Sequence, residues 1–381
     1  MNFKKILPQF LTLLAVILVF GFFAYNAQVN MENRGIAFGY GFLAQESSFD
    51  VQFSLIEYDG SHSYFRAYLV GLLNTILVSV IGIIFATIIG VVVGIARLSK
   101  NYLIERTAAV YVEFFRNIPL LLQIFFWYFA ALRALPLPQE AEPIFGVFFL
   151  TIKGLFVPAF IWNNLDIFIY SIIAAVISIV FVRTYAKKKQ ELEGKQTPVL
   201  YISIGLLLVL PLLSFFIGGA SFYIEIPVIK QLSQTSFTYE GGIGLPPELI
   251  ALALALSLYT ATFIAECVRA GVQGVGKGQK EAAASIGLTP NQVLKLVVMP
   301  QALRIIIPPT TNQYLNLTKN SSLAAAIAYP DLVLVFAGTA LMQTGKAIEI
   351  VSITMFTYLS LSIFISIIMN WYNKRMAIKE K

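Results

Sequence analysis

The chain has 381 residues, of which 58% are hydrophobic and 12% are charged, and its formal net charge is +7. Because a soluble domain carries about twice this share of charged residues, the composition excludes a soluble globular protein and indicates a polytopic membrane protein. The basic residues lie in short pieces between apolar runs, which also excludes a nucleic-acid-binding protein.

Long apolar runs recur along the chain and predict an all-α polytopic membrane protein with about eight transmembrane helices. Lys4 and Lys5 precede the first run, and further basic residues follow the last one. Since cytoplasmic segments are enriched in Lys and Arg, both termini are predicted to lie in the cytoplasm. The predicted spans are 7–25, 68–96, one entered through 111–129, 165–182, 199–218, 249–266, one within 301–337, and 348–370.

One apolar stretch, 134–162, is not typical of a transmembrane helix because Lys153, Gly154 and Pro158 interrupt it. If it crossed the membrane, the basic cluster at 187–189 would lie outside, against the positive-inside rule. We therefore predict an interfacial or re-entrant segment here, with a full crossing left open as the alternative.

The cytoplasmic ends of two predicted spans carry charged residues. Arg116 and Asn117 precede Pro119, which marks a kink or the start of the fully apolar part of its span. Two roles stay open for them: contact with lipid phosphates or a partner protein, and contact with a substrate. Glu266 and Arg269 are three residues apart and are predicted to pair across one helical turn.

No motif for catalysis or cofactor binding stands out. Residues 271–278 read GVQGVGKG and come close to a phosphate-binding P-loop. That motif needs Ser or Thr after its Lys and a strand before its first Gly, whereas Gly278 follows Lys277 and the preceding residues predict a membrane helix. Cys267 is the only cysteine, so the chain forms no internal disulfide. His62 is the only histidine, so neither a metal site nor histidine-based catalysis is expected.

A regularly spaced motif near the end of this region predicts two short helices joined by a turn. Small Ala side chains favour a helix over 280–286, which Gly287 can end. Thr289 can cap a second helix that has Pro290 at its first position. The small side chains at 282–285 give a smooth face that suits a groove on another protein. The spaced residues are Glu281, Ala282, Ala283, Gly287, Val297, Met299 and Pro300.

This spacing resembles the EAA loop of the permease subunits of bacterial ABC importers, whose pattern is EAA-x3-G-x9-I-x-LP, with Val297 in place of the Ile and Met299 in place of the Leu. The FR-x-x-P-L-L-x-Q element at 115–123 resembles the branch of that family that handles polar amino acids. The external stretches at 33–43 and 236–249 look like those of the larger permease of the general L-amino-acid importers.

The resemblance implies a five-helix permease core plus three additional spans, and with it a division of the chain. The implied parts are an N-terminal span and external segment (1–66), a first part of the core (67–133), an inserted region with two spans (134–247), a second part of the core (248–373) that contains the cytoplasmic coupling loop at 267–300, and a cytoplasmic tail (374–381).

The resemblance also implies a permease subunit that translocates polar L-amino acids across the bacterial inner membrane and hydrolyses nothing itself. ATP and Mg would be bound by a separate ATPase dimer on the cytoplasmic face. The other implied partners are a second permease subunit, a periplasmic amino-acid-binding protein and membrane lipid. The residues implied to contact the ATPase are Glu281, Ala282, Ala283, Gly287 and Pro300.

Polar residues on the seventh predicted span are candidates for the substrate path, because a zwitterionic amino acid needs hydrogen-bond partners in a water-poor site. The alternative is that they hold a Pro-broken helix to its neighbours by interhelical hydrogen bonds. Two other functions are alternatives: an ion-coupled secondary amino-acid carrier, which needs ionisable residues deep in its spans, and a membrane-embedded enzyme, which needs a catalytic cluster. The candidate path residues are Asn312, Asn316, Lys319, Asn320, Ser321 and Ser322.

Overall fold

A computed structural model describes residues 3–33, 39–194, 196–216, 219, 221–233 and 237–376. Parts of the external stretch at 33–43, the basic residue Lys195 and the end of the basic tail, 377–381, lie outside the described residues. The chain forms two compact units, one made of Met1–Tyr128 and Ala251–Lys381 and the other of Phe129–Ile250.

Helices make up most of the described chain, as the apolar runs predict. Tighter 3₁₀ segments lie at Gly41–Ala44, Leu132–Ala134 and Ser321–Ile327, and wider π segments lie at Phe126–Ala131, Val293–Val298 and Val333–Ala340. The α-helices are α1 (Phe3–Asn33), α2 (Tyr64–Ala96), α3 (Tyr102–Asn117), α4 (Leu120–Phe125), α5 (Leu165–Glu193), α6 (Val199–Phe216), α7 (Pro247–Gln273), α8 (Lys277–Ser285), α9 (Pro290–Gln292), α10 (Met299–Asn320), α11 (Leu341–Thr344) and α12 (Ala347–Met376).

Among the described residues, six helices are long and apolar enough to cross a membrane: α2, α5, α6, α7, the helical run Pro290–Ile327, and α12. They coincide with six of the predicted spans. A bent pair, α3 with Leu120–Ala134, raises the number to seven if it counts as one span. The apolar part of α1, Leu7–Phe23, is shorter. The predicted count of about eight spans therefore stays a prediction.

The bend between α3 and α4 lies at Pro119, where the sequence predicts a kink, and it measures 101°. Proline has no N–H and cannot continue the helical hydrogen-bond ladder. The buried Gln123 compensates for this loss, because its Nε2 donates to the Phe115 carbonyl at 2.8 Å and to the Ile118 carbonyl at 3.0 Å. One amide side chain thus satisfies the carbonyls that the bend exposes.

Glycines let α2 approach α7 closely. A Cβ atom added at Gly90 would lie 2.7 Å from Ile264 Cβ, and one added at Gly94 would lie 2.7 Å from the Ala265 carbonyl oxygen. Only glycine fits at such separations, as small-residue helix interfaces in membranes require. This contact fixes the position of α7 just before the chain enters the predicted coupling loop.

The start of α2 is held by an apolar cluster and by buried hydrogen bonds. Phe42 and Phe336 belong to this cluster, with ring centroids 6.5 Å apart. The fully buried Asn74 donates from Nδ2 to the Phe53 and Pro330 carbonyls, both at 2.9 Å. The segment that precedes α2 and the chain that follows α10 are therefore both fastened to α2.

The unit Phe129–Ile250 differs from an all-helical arrangement, because short antiparallel strands flank the hairpin of α5 and α6. The stretch at 134–162 contains three of these strands and no helix beyond residue 134, and the prediction that it is an interfacial or re-entrant segment stays a prediction. The strands are β1 (Phe149–Thr151), β2 (Gly154–Val157), β3 (Ala159–Asn163), β4 (Ser221–Glu225), β5 (Val228–Gln231), β6 (Phe237–Glu240) and β7 (Ile243–Leu245).

The strands form three small sheets, ordered β1-β2-β7, β3-β4 and β5-β6. In the first sheet Leu155 pairs with Leu245, so residues on both sides of the α5–α6 hairpin are joined by backbone hydrogen bonds. Tyr239 packs between Phe149 and Phe156, with ring centroids 4.5 and 4.7 Å away. Its hydroxyl donates to the Pro138 carbonyl at 2.9 Å. The aromatic residues of this region therefore form a small core of their own.

Candidate coupling loop and substrate path

The turn after α8 has the geometry that the spaced motif predicts. α8 begins at Lys277, about one turn before the predicted start, and Gly287 follows it with a φ of +85°. The Gly287 N–H donates to the Ala284 carbonyl at 2.9 Å. The Leu288 N–H donates to the Ala283 carbonyl at 3.3 Å. This pair of bonds closes the helix through a left-handed residue, a conformation that glycine adopts without strain, so the predicted helix end is confirmed.

A reciprocal cap starts α9. Thr289 Oγ1 accepts a hydrogen bond from the Gln292 N–H at 3.4 Å, and Gln292 Oε1 accepts one from the Thr289 N–H at 2.9 Å. Pro290 occupies the first helical position, as predicted. From there the chain is helical through Val293–Val298 into α10. The second half of the loop is therefore continuous with a membrane-spanning helix.

The five predicted coupling residues lie in two environments. Glu281, Ala282 and Gly287 are exposed. Ala283 is buried, with 5% of its surface accessible, and it lies on the side of α8 that packs against the π segment after α9. Pro300 lies partly buried in the first turn of α10. The first three residues thus face outward, whereas the other two belong to the packing of the loop itself.

The exposed part of the loop has an apolar tip beside an unpaired charge. Ile286, next to the turn, is 78% exposed. Within the described chain, the carboxylate of Glu281 makes no ion pair. An exposed apolar side chain, a free carboxylate and the small residues between them leave this surface available to another protein.

Three of the six candidate path residues form a stripe on α10. Asn312, Asn316 and Lys319 follow one another at intervals of four and three residues, which places them on one helix face, and all three are exposed. The amide side chains of Asn312 and Asn316 have no hydrogen-bond partner in the part of the chain that the structure describes. This polar face of α10 is therefore open in the single subunit.

The other three candidates lie where α10 tightens into its 3₁₀ continuation. Ser321 is fully buried and its hydroxyl donates to the Thr318 carbonyl at 2.7 Å, which favours the alternative of a helix-stabilising role for this residue. Ser322 donates to the Lys319 carbonyl at 2.8 Å. Asn320 is half-buried. Ser322 and Lys319 line one cavity of about 510 Å³, together with residues of α12.

A charged cluster joins α2 to α7, and only part of it could be expected from the sequence. The predicted pair is confirmed, with Arg269 Nε at 3.1 Å from both carboxylate oxygens of Glu266. Arg97, at the end of α2, adds a second guanidinium, and its Nη1 donates to Glu266 Oε2 at 2.5 Å. Arg97 and Glu266 are far apart in sequence, so the residue spacing carries no signal for their contact.

Beside this cluster lies a cavity of about 260 Å³ between α3, α7 and α10, lined by Arg116, Phe263, Glu266, Cys267, Ala270, Ile305, Pro309 and Gln313. The Arg116 guanidinium lies over the Phe263 ring, 5.1 Å from its centroid. Asn117, the last residue of α3, is exposed. Among the described residues, no group of three or more His, Cys, Asp or Glu side chains could hold a metal ion.

Comparison with known proteins relates this chain to membrane components of transport systems. Residues 196–378 match the family described as binding-protein-dependent transport system inner membrane component. The general L-amino acid transport system permease protein AapQ of Rhizobium johnstonii is 47% identical over 382 residues, covering 100% of this chain and 94% of that protein. YhdX of Escherichia coli strain K12, provisionally named an amino-acid ABC transporter permease protein, is 46% identical over 374 residues, covering 98% and 94%.

A third relative, the glutamate/glutamine/aspartate/asparagine transport system permease protein BztB of Rhodobacter capsulatus, is 38% identical over 412 residues, covering 100% of this chain and 95% of that protein. The three alignments cover both units of the chain, including the strands around α5 and α6. With the helical fold and the capped loop between α7 and α10, these matches show that the chain belongs to the family of amino-acid ABC transporter permease subunits.

Proposed function

We propose that this subunit translocates polar L-amino acids across the bacterial inner membrane, driven by ATP that a separate subunit hydrolyses. The full assembly contains a second permease subunit, a cytoplasmic ATPase dimer that binds ATP and Mg, and a periplasmic amino-acid-binding protein, all held in membrane lipid. The substrate class is supported by relatives named for general L-amino acids and for glutamate, glutamine, aspartate and asparagine.

The observation that carries this proposal is the exposed, internally hydrogen-bonded loop between α7 and α10. Its turn is closed by paired hydrogen bonds at Gly287 and its second helix by a reciprocal cap at Thr289. In the proposed mechanism the ATPase contacts Glu281, Ala282 and the backbone at Gly287, while Ala283 and Pro300 hold the loop to α10. Because the chain is helical from α9 through α10, displacement of the loop moves the polar stripe.

The stripe on α10 supports the need for a second permease. Asn312, Asn316 and Lys319 are exposed on one face of a helix whose apolar length suits a membrane. Polar side chains at that depth are tolerated only against protein or a watery cavity. In this proposal the second permease supplies the opposite wall, and the two polar faces enclose the path of the amino acid.

The orientation of the chain follows from its basic residues. Arg97, Lys100 and Arg106 follow α2, and Lys277 and Lys280 lie in the loop after α7. Because Lys and Arg are enriched on the cytoplasmic side, this pattern supports a cytoplasmic loop and cytoplasmic termini. The ion-coupled carrier considered from the sequence is not favoured, since the relatives are named as ABC or binding-protein-dependent transport components.

Thiol cross-linking in membranes that contain the whole complex tests the coupling role. In a Cys267→Ala background, a cysteine replacing Ala282 is expected to cross-link to the ATPase subunit and to resist an impermeant thiol reagent added outside. The matched control is Ser61→Cys, exposed before α2, which is expected to show the reverse behaviour. Labelling of position 282 from the outside, or equal cross-linking at both positions, contradicts the proposal.

The energy source is tested by uptake of L-glutamine in the same membranes. We expect uptake to be abolished when the ATPase subunit carries an inactivating substitution, because hydrolysis drives the loop. Collapse of ion gradients at constant ATP is expected to leave the initial rate nearly unchanged. Uptake that follows the ion gradient instead of ATP hydrolysis refutes an ATP-driven importer.

A further inference from the structure

The cavity of about 260 Å³ between α3, α7 and α10 has the size and chemistry of a small-ligand site. Pockets for drug-sized ligands measure about 300–1,000 Å³, so this one suits a molecule as small as an amino acid. Phe263, Ile305 and Pro309 form an apolar wall, while Arg116 and Gln313 enter from α3 and α10. The lining therefore combines apolar and polar side chains.

Two hydrogen-bonding side chains in this lining are unused. Within the described chain, the Arg116 guanidinium lies over the Phe263 ring and interacts electrostatically with Glu266, but it forms no side-chain hydrogen bond and no salt bridge. The Gln313 amide has no hydrogen-bond partner in the same residues. A guanidinium offers a planar fork of donors that matches a carboxylate, and an amide adds a further donor.

The charge around the cavity also favours an anionic group. Glu266 lies in the lining, but its carboxylate is already held by Arg97 and Arg269. Together with Arg116, three guanidinium groups face one carboxylate in this region. An added carboxylate is therefore attracted on the Arg116 side.

We infer that this cavity binds a free L-amino acid, with its α-carboxylate on Arg116 and Gln313. The inference rests on the proposed function, because that function puts amino acids at this end of the permease. The site lies at the base of α7, just before the coupling loop, and is separate from the stripe of Asn312, Asn316 and Lys319. The amino acid that occupies this site comes from the cytoplasmic side of the membrane.

The only cysteine of the chain reports on this site, because Cys267 lines the cavity. The purified complex with all its subunits is alkylated with N-ethylmaleimide, and modification of the Cys267 peptide is followed by mass spectrometry. L-Glutamine at about ten times its half-protecting concentration is expected to slow alkylation about tenfold, as simple occupancy predicts. L-Glutaminol, which lacks the carboxylate, is expected to give no protection.

Variants separate direct occupancy from a remote effect. Arg116→Ala is expected to abolish protection by L-glutamine, and Gln313→Leu is expected to weaken it several-fold and serves if the first variant does not assemble. Arg106→Ala removes the same charge from an exposed position of α3 outside the cavity and is expected to keep full protection. Asn316→Ala, on the stripe, is also expected to keep it.

Protection by L-glutaminol, protection that survives Arg116→Ala and Gln313→Leu, or protection lost in Asn316→Ala overturns the inference. The same complex is reconstituted in vesicles and assayed for ATP-dependent uptake of labelled L-glutamine. Normal uptake without protection of Cys267 refutes this site and leaves the proposed function intact. Absence of uptake by the unmodified complex refutes the proposed function.

Discussion

Replacement of Gly287 tests the coupling loop through backbone conformation alone. Gly287 has a φ of +85°, and a Cβ atom added there would meet nothing within 4 Å. The substitution Gly287→Ala therefore introduces no clash with the chain, and its cost is the strain of a left-handed L-residue, about 1–2 kcal/mol. Asn visits this conformation more readily, whereas a β-branched residue is more restricted.

A cost of about 1–2 kcal/mol lowers the ratio of the closed turn to open alternatives by a factor of roughly 5–30. If the ATPase recognises the closed turn, amino-acid uptake and its stimulation of ATP hydrolysis fall together. The expected order of activity is Gly, then Asn, then Ala, then Val at position 287. Purified complexes reconstituted in vesicles, with both rates measured on the same preparation, provide the assay.

Gly276 supplies the matched control. It precedes α8 with a φ of −54°, which any L-residue adopts, and a Cβ atom there also meets nothing within 4 Å. Gly276→Ala is expected to retain near-normal uptake and ATP hydrolysis. Equal loss in Gly276→Ala and Gly287→Ala, or full activity of Gly287→Val, refutes the reasoning that the left-handed turn is what the partner requires.

Three further substitutions test the packing around the loop. Thr289→Ala removes one half of the cap with Gln292 and is expected to destabilise the loop by about 1 kcal/mol. Protease cleavage within the loop is then expected to be faster, and an unchanged cleavage rate contradicts the role of the cap. Gly94→Val is expected to lower the stability of the complex by about 1–3 kcal/mol through overpacking against α7, because its Cβ would lie 2.7 Å from the Ala265 carbonyl oxygen. An unaltered thermal midpoint of the complex would argue against that contact. Gln123→Leu leaves two carbonyls at the α3–α4 bend without a donor and is expected to cost about 1–3 kcal/mol. The same thermal midpoint measures this cost, and an unchanged midpoint contradicts the role of the amide.

The coupling loop could be predicted because its structure is set by local chemistry. Gly287 ends a helix through its own backbone freedom, and Thr289 caps the next helix with a partner three residues away. These interactions join residues that are neighbours in sequence, so their spacing is informative. The exposure of Glu281 and the burial of Ala283 needed the structure, because they depend on which side of α8 meets the following segment.

The strands at 149–163 could not be predicted for the opposite reason. Apolar residues interrupted by Gly154 and Pro158 fit an interfacial segment as well as they fit short strands. The distinction is made by pairing with distant residues, such as Leu155 with Leu245 and Trp162 with Phe222. A sequence pattern carries no information about such partners.

The residues predicted to line a substrate path are an intermediate case. Polar residues on the predicted seventh span identify the correct helix for a polar face, and Asn312, Asn316 and Lys319 do share one exposed side. Ser321 differs because the helix tightens to 3₁₀ geometry at that residue and turns its side chain inward. A change of helical pitch shifts the face on which each later residue lies, and the sequence does not mark where that change occurs.

The turn at Gly287 and the cap at Thr289 are both closed by hydrogen bonds within the chain, so the loop forms them without a partner protein. Association then omits the ordering of a disordered segment, which elsewhere costs about 2–5 kcal/mol. Engagement and release can recur in every transport cycle without refolding between cycles. In the proposed coupling role, an ATPase that closes on this preorganised loop would transmit its movement as displacement, because little of the movement would be absorbed by local rearrangement.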